Sequence, residues 1–170
     1  LVEDLGTEIR DALWKNNQKK NKLNRSQLKN FEGFYDYGND GVLSLSERNG
    51  RLFAQVSGQD ELELFPVAEN KFAWQVVDAS VKFETENGKI YATHSQNGEL
   101  IKAPKIEPVK LSAADLCDIA GNYDYGEDGI QTISEIDGRL WAKLSDQMEA
   151  ELFPFSETEF FWMAVNARIK

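Results

Sequence analysis

The chain reads as an all-β protein: two tandem small up-and-down antiparallel β-barrels of eight strands each, the second one truncated, preceded by one short amphipathic helix. Three observations predict this. Leu28–Lys82 and Leu116–Lys170 align at an offset of 88 residues with 27 identities in 55 positions and no gap, which marks a duplicated structural unit. Turn signals recur about every eight to ten residues, as expected of serial short strands. Between the turns, apolar and polar residues alternate with the period of two that a half-buried strand requires.

The elements follow in order. Val2, Leu5, Ile9, Ala12 and Leu13 recur at helical spacing and predict an amphipathic helix through about Lys15. Gly6 inside it costs about 1 kcal/mol relative to Ala. A lone helix of this length is marginal in water, so it must lie on a surface, either a barrel of this chain or a domain that the chain lacks. Asn16–Gln27 is polar and reads as a linker, giving a helix and basic linker over residues 1–27.

The first repeat spans residues 28–106 and shows eight candidate strands: 31–37, 42–47, 51–57, 62–66, 71–77, 80–85, 89–94 and 99–103. Asn-Gly stands at 49–50, 87–88 and 97–98, the sequence of two-residue type I′ hairpins, whose central positions need positive φ. Pro66 cannot donate to a ladder and belongs at a strand end or edge. Alternation places Leu43, Leu45, Leu52, Ala54, Val56, Leu62, Leu64, Phe72, Trp74, Val76, Val81, Phe83, Ile90 and Ala92 on the inner face. Serial hairpins with one apolar face are best satisfied by closing the sheet, which abolishes both edges. Strands this short leave an interior filled by side chains rather than a generous cavity.

The stretch Lys102–Asp115 carries Pro104 and Pro108 and reads as connector, with the linker proper over residues 107–115. The second repeat, 116–170, matches the first through its sixth strand and has no counterpart of the last two. Its barrel is expected to stand open, with unpaired backbone groups at an edge.

Composition narrows the function classes. The formal charge is −10 and the pI about 4.7. Lys15, Lys19, Lys20, Lys22, Arg25 and Lys29 fall in one stretch without a carboxylate, so the remainder is more acidic still. Nucleic-acid binding needs a basic footprint, which neither repeat offers; the basic stretch reads as a solvated linker. A single cysteine, Cys117, excludes an intrachain disulfide and a multi-thiolate zinc site, and reads as a small buried hydrophobe. The longest apolar run, Phe160–Val165, is far shorter than a membrane span. Starting at Leu1 rather than Met, the chain reads as a fragment or processed product, so the compartment is open.

Catalytic signals are weak. The single histidine, His94, has no copy in the second repeat and reads as an ordinary strand residue. Ser26 and Lys29 fit a Ser-x-x-Lys spacing, and Tyr37 and Asn39 a Tyr-x-Asn, but a nucleophile of that type starts a buried helix in a large α/β domain. Here Ser26 falls in the polar linker and Tyr37 ends a strand. Asp36, Asp40, Gly41 and Glu47 hold positions 1, 5, 6 and 12 of a calcium loop, and Asp124, Asp128, Gly129 and Glu135 repeat them. Gly38 and Gly126 remove the ligand at position 3, and the flanks are strands, so both read as hairpin turns. No metal or cofactor is expected. The repeated aromatic set is Tyr35, Tyr37 and Trp74 with Tyr123, Tyr125 and Trp162. The tryptophans read as barrel plugs, and the tyrosines as rim residues whose hydroxyls reach water at an interface or ligand contact.

Gly33-x-Tyr35, Asp40-Gly41, Asn49-Gly50-x-Leu52, Leu64-x-Pro66, Phe72, Phe83 and Gly88-Lys-Ile90 together resemble the lipocalin-like C-terminal domain of penicillin-recognising serine hydrolases. Two such barrels in tandem resemble the accessory domains of the D-aminopeptidase type. The resemblance covers about Leu28–Lys170 and implies a non-catalytic module that packs beside an upstream β-lactamase-like domain of the same polypeptide and shapes access to its active site. It further implies an extracytoplasmic setting, periplasmic or secreted, and makes Val2–Leu13 the last helix of the catalytic domain. No catalytic residue carries over. Two other classes fit the chain: a lipocalin-like carrier of a small apolar ligand, and an interaction or scaffold protein that forms homodimers through the open edge of repeat 2.

Overall fold

The computed structural model describes residues 12, 14–16 and 18–170. Val2, Leu5, Gly6, Ile9 and Leu13 of the expected N-terminal helix lie outside them. Residues 12, 14–16 and 18–20 are helical (α1), so the helix runs past the expected end near Lys15 into the stretch read as linker. A second helix, α2 (Arg25–Lys29), occupies more of that stretch. Asn24 accepts from the Gln27 N–H while the Gln27 side chain accepts from the Asn24 N–H, a capping box that stabilises the first turn. So short a helix holds only by packing: Leu28 is buried in the barrel core, and Leu23 packs against it. Ser26 therefore stands exposed on a short surface helix.

The first repeat closes. Strands β1 (Gly33–Asp36), β2 (Val42–Arg48), β3 (Arg51–Val56), β4 (Leu62–Ala68), β5 (Lys71–Ala73), β6 (Ala79–Glu86), β7 (Lys89–Gln96) and β8 (Glu99–Ile106) pair in sequence order, and β8 returns to β1. The closing register sets Phe34 opposite Ile106 and Tyr35 opposite Lys105. Closure thus needs β8 to run through Pro104 to Ile106, into the stretch read as connector. Asn49 and Gly50 have φ of 55° and 78°, as the two-residue hairpin demands. Pro66 sits where the β4–β5 register shifts, a position at which a missing N–H costs no ladder bond.

The inner face carries the core that alternation predicts. Leu43, Leu45, Leu52, Ala54, Leu64, Phe72, Trp74, Val81, Phe83 and Ala92 are buried, with Val56, Leu62 and Ile90 packed against them. Val76 is the exception, 71 % exposed. The strand ends at Ala73, and the Trp74 N–H donates to the Ala79 carbonyl across a bend that turns Val76 outward. Tyr35 and Tyr37 are not rim residues but buried core, because β1 pairs Tyr35 with inward-facing Leu43. Phe31, with its ring 4.9 Å from both Phe72 and Phe83, fills one end.

Helix α3 (Ala113–Ile119), with its own capping box from Ser112 and Asp115, leads into the second repeat. Leu116 takes its buried face, which leaves Cys117 exposed rather than buried. Strands β9 (Gly121–Asp124), β10 (Ile130–Ile136), β11 (Arg139–Leu144), β12 (Ala150–Pro154), β13 (Phe160–Trp162) and β14 (Arg168–Ile169) form an open six-stranded sheet in sequence order. Ile133, Leu140, Ala142, Leu152, Phe160 and Trp162 pack with Leu116 on its concave face.

The two units dock through outward-facing residues. Val42, Phe161 and Met163 are buried against Phe34, Ile106, Phe153 and Phe155, and Phe34 packs edge-on against Phe161 at 5.4 Å. The Gly58 N–H donates to the Met163 carbonyl at 2.9 Å, the Asn166 amide to the Asn39 carbonyl at 3.1 Å, and Arg168 pairs with Asp36. A Cβ at Gly58 would stand 3.2 Å from the Asn166 backbone nitrogen, and its φ of +74° also selects glycine. Replacing Phe161 by Ala is expected to remove about 3 kcal/mol from the second unit, seen in urea as a separate early transition of that sheet; a single shifted transition of the whole chain would contradict it.

Candidate functional site

The first repeat brings three of the singled-out residues together at one end of the barrel. Tyr37 follows β1, Trp74 follows β5, and His94 lies in β7 opposite Val81. The Tyr37 hydroxyl lies 2.9 Å from His94 Nδ1. The Trp74 indole stacks on the imidazole with ring centroids 5.1 Å apart and planes 26° from parallel. His94 Nε2 is buried and has no hydrogen-bond partner among the described residues. Burial pushes the imidazole below its ordinary pKa and the Tyr37 phenol well above its own, since a low-dielectric site disfavours both charged forms. A neutral phenol bonded to a neutral imidazole is a packed polar plug; an activated nucleophile would need the opposite shift.

Tyr35, also in β1, is fully buried, and its hydroxyl donates to the Phe31 carbonyl at 2.9 Å. Burial raises its phenol as well. In the second repeat the same device recurs: the Tyr123 hydroxyl donates to the Ile119 carbonyl at 2.6 Å. Yet Tyr123 and Tyr125 are 41 and 49 % exposed, against 0 and 6 % for Tyr35 and Tyr37. Trp162 is buried in the concave face. The expectation of rim tyrosines thus fails in the first copy, whose strands wall both tyrosines in, while in the second copy both are exposed.

The carboxylates of the calcium-like pattern are engaged separately. Asp36 accepts from the Gly38 N–H at 2.8 Å and from Arg168. Glu47 accepts from Arg25 at 2.8 Å and from the Gly50 N–H at 2.6 Å. The Arg25 bond, then the Gly50 amide, hold its carboxyl below the ordinary range. Asp124–Gly126 and Glu135–Gly138 repeat the two turn bonds at 2.8 and 2.7 Å. Among the described residues no three His, Cys, Asp or Glu side chains converge as a metal site.

Sequence reasoning missed two features. One is the His94–Tyr37 pair, whose signal was present: His94 shares the inward parity of Ala92 in the same strand. The other is the seat of α1 on β4. Trp14 packs edge-on to Phe65 at 5.7 Å, and Asn21 donates to the Val67 carbonyl at 3.0 Å. Beside this seat runs a groove of about 420 Å³ with an apolar floor of Leu23, Leu28 and Phe65 and with Lys15 and Lys19 above it.

His94 gives a clean pH test, being the only imidazole in the chain. Its folded pKa lies below the unfolded value of about 6.5, so the unfolded state binds the extra proton first and stability falls as pH drops from about 7.5 to 5.5. His94→Gln is expected to be less stable at pH 7.5 but to have a flatter profile in urea titrations; parallel profiles would contradict it. No protein-family model matches the chain, and no curated protein matches it.

Proposed function

We propose that this chain is a non-catalytic accessory module of a β-lactamase-like serine hydrolase, packing beside the catalytic domain and shaping access to its active site. The observation that carries the reading is how the first barrel uses its surfaces. Its interior is filled by Tyr35, Leu43, Phe72 and Phe83, while its outside serves for packing. On one side β4 seats α1 through Trp14 and Asn21. On another, Phe34, Val42 and Gly58 hold the second unit. Val76 and Val77, 71 and 41 % exposed at the bend after β5, leave apolar surface for a further neighbour, the upstream domain in this proposal.

The lipocalin-like resemblance supports the same role and an extracytoplasmic setting, since the residues that carry it are turn and core positions of these strands. A second reading, an interaction protein that pairs through a sheet edge, has one observation in its favour: among the described residues β9 is paired with β10 alone. The carrier reading has less, because the first barrel's interior is side chain.

Two measurements test the proposal. A fluorescent penicillin should leave the chain unlabelled; acylation at Ser26 would sink a non-catalytic role. The reading frame flanking Leu1 should encode an upstream domain with Ser-x-x-Lys and Tyr-x-Asn; a signal peptide directly before Leu1 with a stop after Lys170 would leave a secreted interaction protein instead.

A further inference from the structure

We infer that the groove between α1 and strands β3 and β4 is a binding site for a free amphipathic anion, an alkyl chain that ends in a carboxylate. The site lies outside the first barrel, whose interior is filled, and the inference does not depend on the hydrolase reading.

Charge on one wall points to the head group. Helical spacing sorts α1 and the residues after it into two neighbouring stripes. Trp14 and Asn21 hold β4 through Phe65 and the Val67 carbonyl. Lys15, Lys19 and Lys22 fall on the stripe beside them and line the groove. Like charges four apart on a helix repel, and the chain has no carboxylate over residues 12–31. The carboxylate that does line the groove, Glu63, is taken by Arg51, whose Nε donates to it at 2.7 Å. Among the described residues no ion pair reaches any of the three lysines. An unneutralised cationic wall therefore stands in a chain whose net charge is −10.

The floor points to the rest of the ligand. Leu23, Leu28, Leu52, Leu64, Phe65 and Pro66 line it. Leu52 pairs with Leu64 across β3–β4, and Phe65 and Pro66 pair with Ala73 and Phe72 across β4–β5. The strands beneath the groove are flanked on both sides, so they offer an incoming peptide no edge to extend. An alkyl chain needs none. The groove holds about 420 Å³, within the roughly 300–1,000 Å³ of small-molecule sites. Lysine stems cover apolar surface while their ammonium groups stay in water, which suits a chain laid on the floor with its carboxylate at the rim. The acidity of the whole chain opposes approach to an anionic membrane and favours the ligand free in solution.

The test titrates the full chain calorimetrically with octanoate, decanoate and dodecanoate below their micelle concentrations. Affinity should rise by roughly fourfold per methylene. Decanoate should bind roughly tenfold tighter than 1-decanol at low salt, a margin that added salt shrinks. In chain labelled at its leucine methyl groups, the Leu23 and Leu28 resonances should shift on binding while those of Leu140 and Leu152 stay in place. The combined variant Lys15→Gln, Lys19→Gln, Lys22→Gln should lose the preference for acid over alcohol with unchanged urea unfolding, because all three side chains are exposed. No binding of dodecanoate, equal affinity for acid and alcohol in the unaltered chain, or shifts confined to the second unit would overturn the inference. So would tighter binding of hexaglutamate than of decanoate, which would assign the wall to an acidic peptide. Co-sedimentation with phosphatidylglycerol vesicles, abolished in the lysine variant, would overturn it in favour of a membrane surface.

Discussion

The closing pair β1–β8 is the contact on which the rest of the first unit depends. A row of unpaired strand groups is a liability in water and a greater one when buried, and two residue pairs, Phe34 with Ile106 and Tyr35 with Lys105, remove it. Once the ring is shut, Tyr35 becomes fully buried, its hydroxyl satisfied by the Phe31 carbonyl. Tyr37 is brought edge-on within hydrogen-bond reach of His94, and Trp74 stacks on the imidazole. The contacts of Tyr37 and Trp74 with His94 join residues of earlier strands to the late strand β7. In the second unit the same tyrosines, with no late strands to meet, stand half exposed.

The docking of the two units shows how a duplicated piece acquires different faces. Phe161 and Met163 stand where the first copy has Ala73 and Gln75, and Phe34 where the second has Asn122. Gly58, which lets Asn166 approach, becomes Asp146, and Arg168, which reaches Asp36, replaces the counterpart of Ser80. The contact is heterologous: one face of the first unit meets a different face of the second. A head-to-tail contact of this kind would propagate if both copies kept both faces. Substitution of the apolar anchors and of Gly58 confines it to a single use within the chain.

Much of the architecture was legible because strands report themselves locally. Alternation named the buried faces of β2, β3, β6 and β7, and the Asn-Gly pairs placed three hairpin turns. The misreadings share a cause. Tyr35, Tyr37 and Cys117 were assigned from residue character, whereas their exposure follows from which neighbour covers them. Val76 was assigned by extending a strand that a local backbone bond ends at Ala73. The segment 16–27 is polar, yet α1 and α2 settle there because Trp14, Leu23 and Leu28 find the barrel. The docking face also left a trace: Phe34, Phe161 and Met163 stand where the other copy has Asn122, Ala73 and Gln75.

Taken alone, the sequence determined the duplication, the all-β class, the strand order, the hairpin turns and most of the inward-facing residues. Those properties arise from bonds and periodicities spanning a few residues, or from comparison of the chain with itself. Tertiary structure decided that the closing strand runs on through Pro104 to Ile106, that His94 is held between Tyr37 and Trp74, and that Phe161 belongs to an interface rather than to a solvent-facing side. Each depends on residues dozens of positions apart meeting in space, and no local pattern encodes which of many apolar or polar partners a strand will meet when the sheet curls.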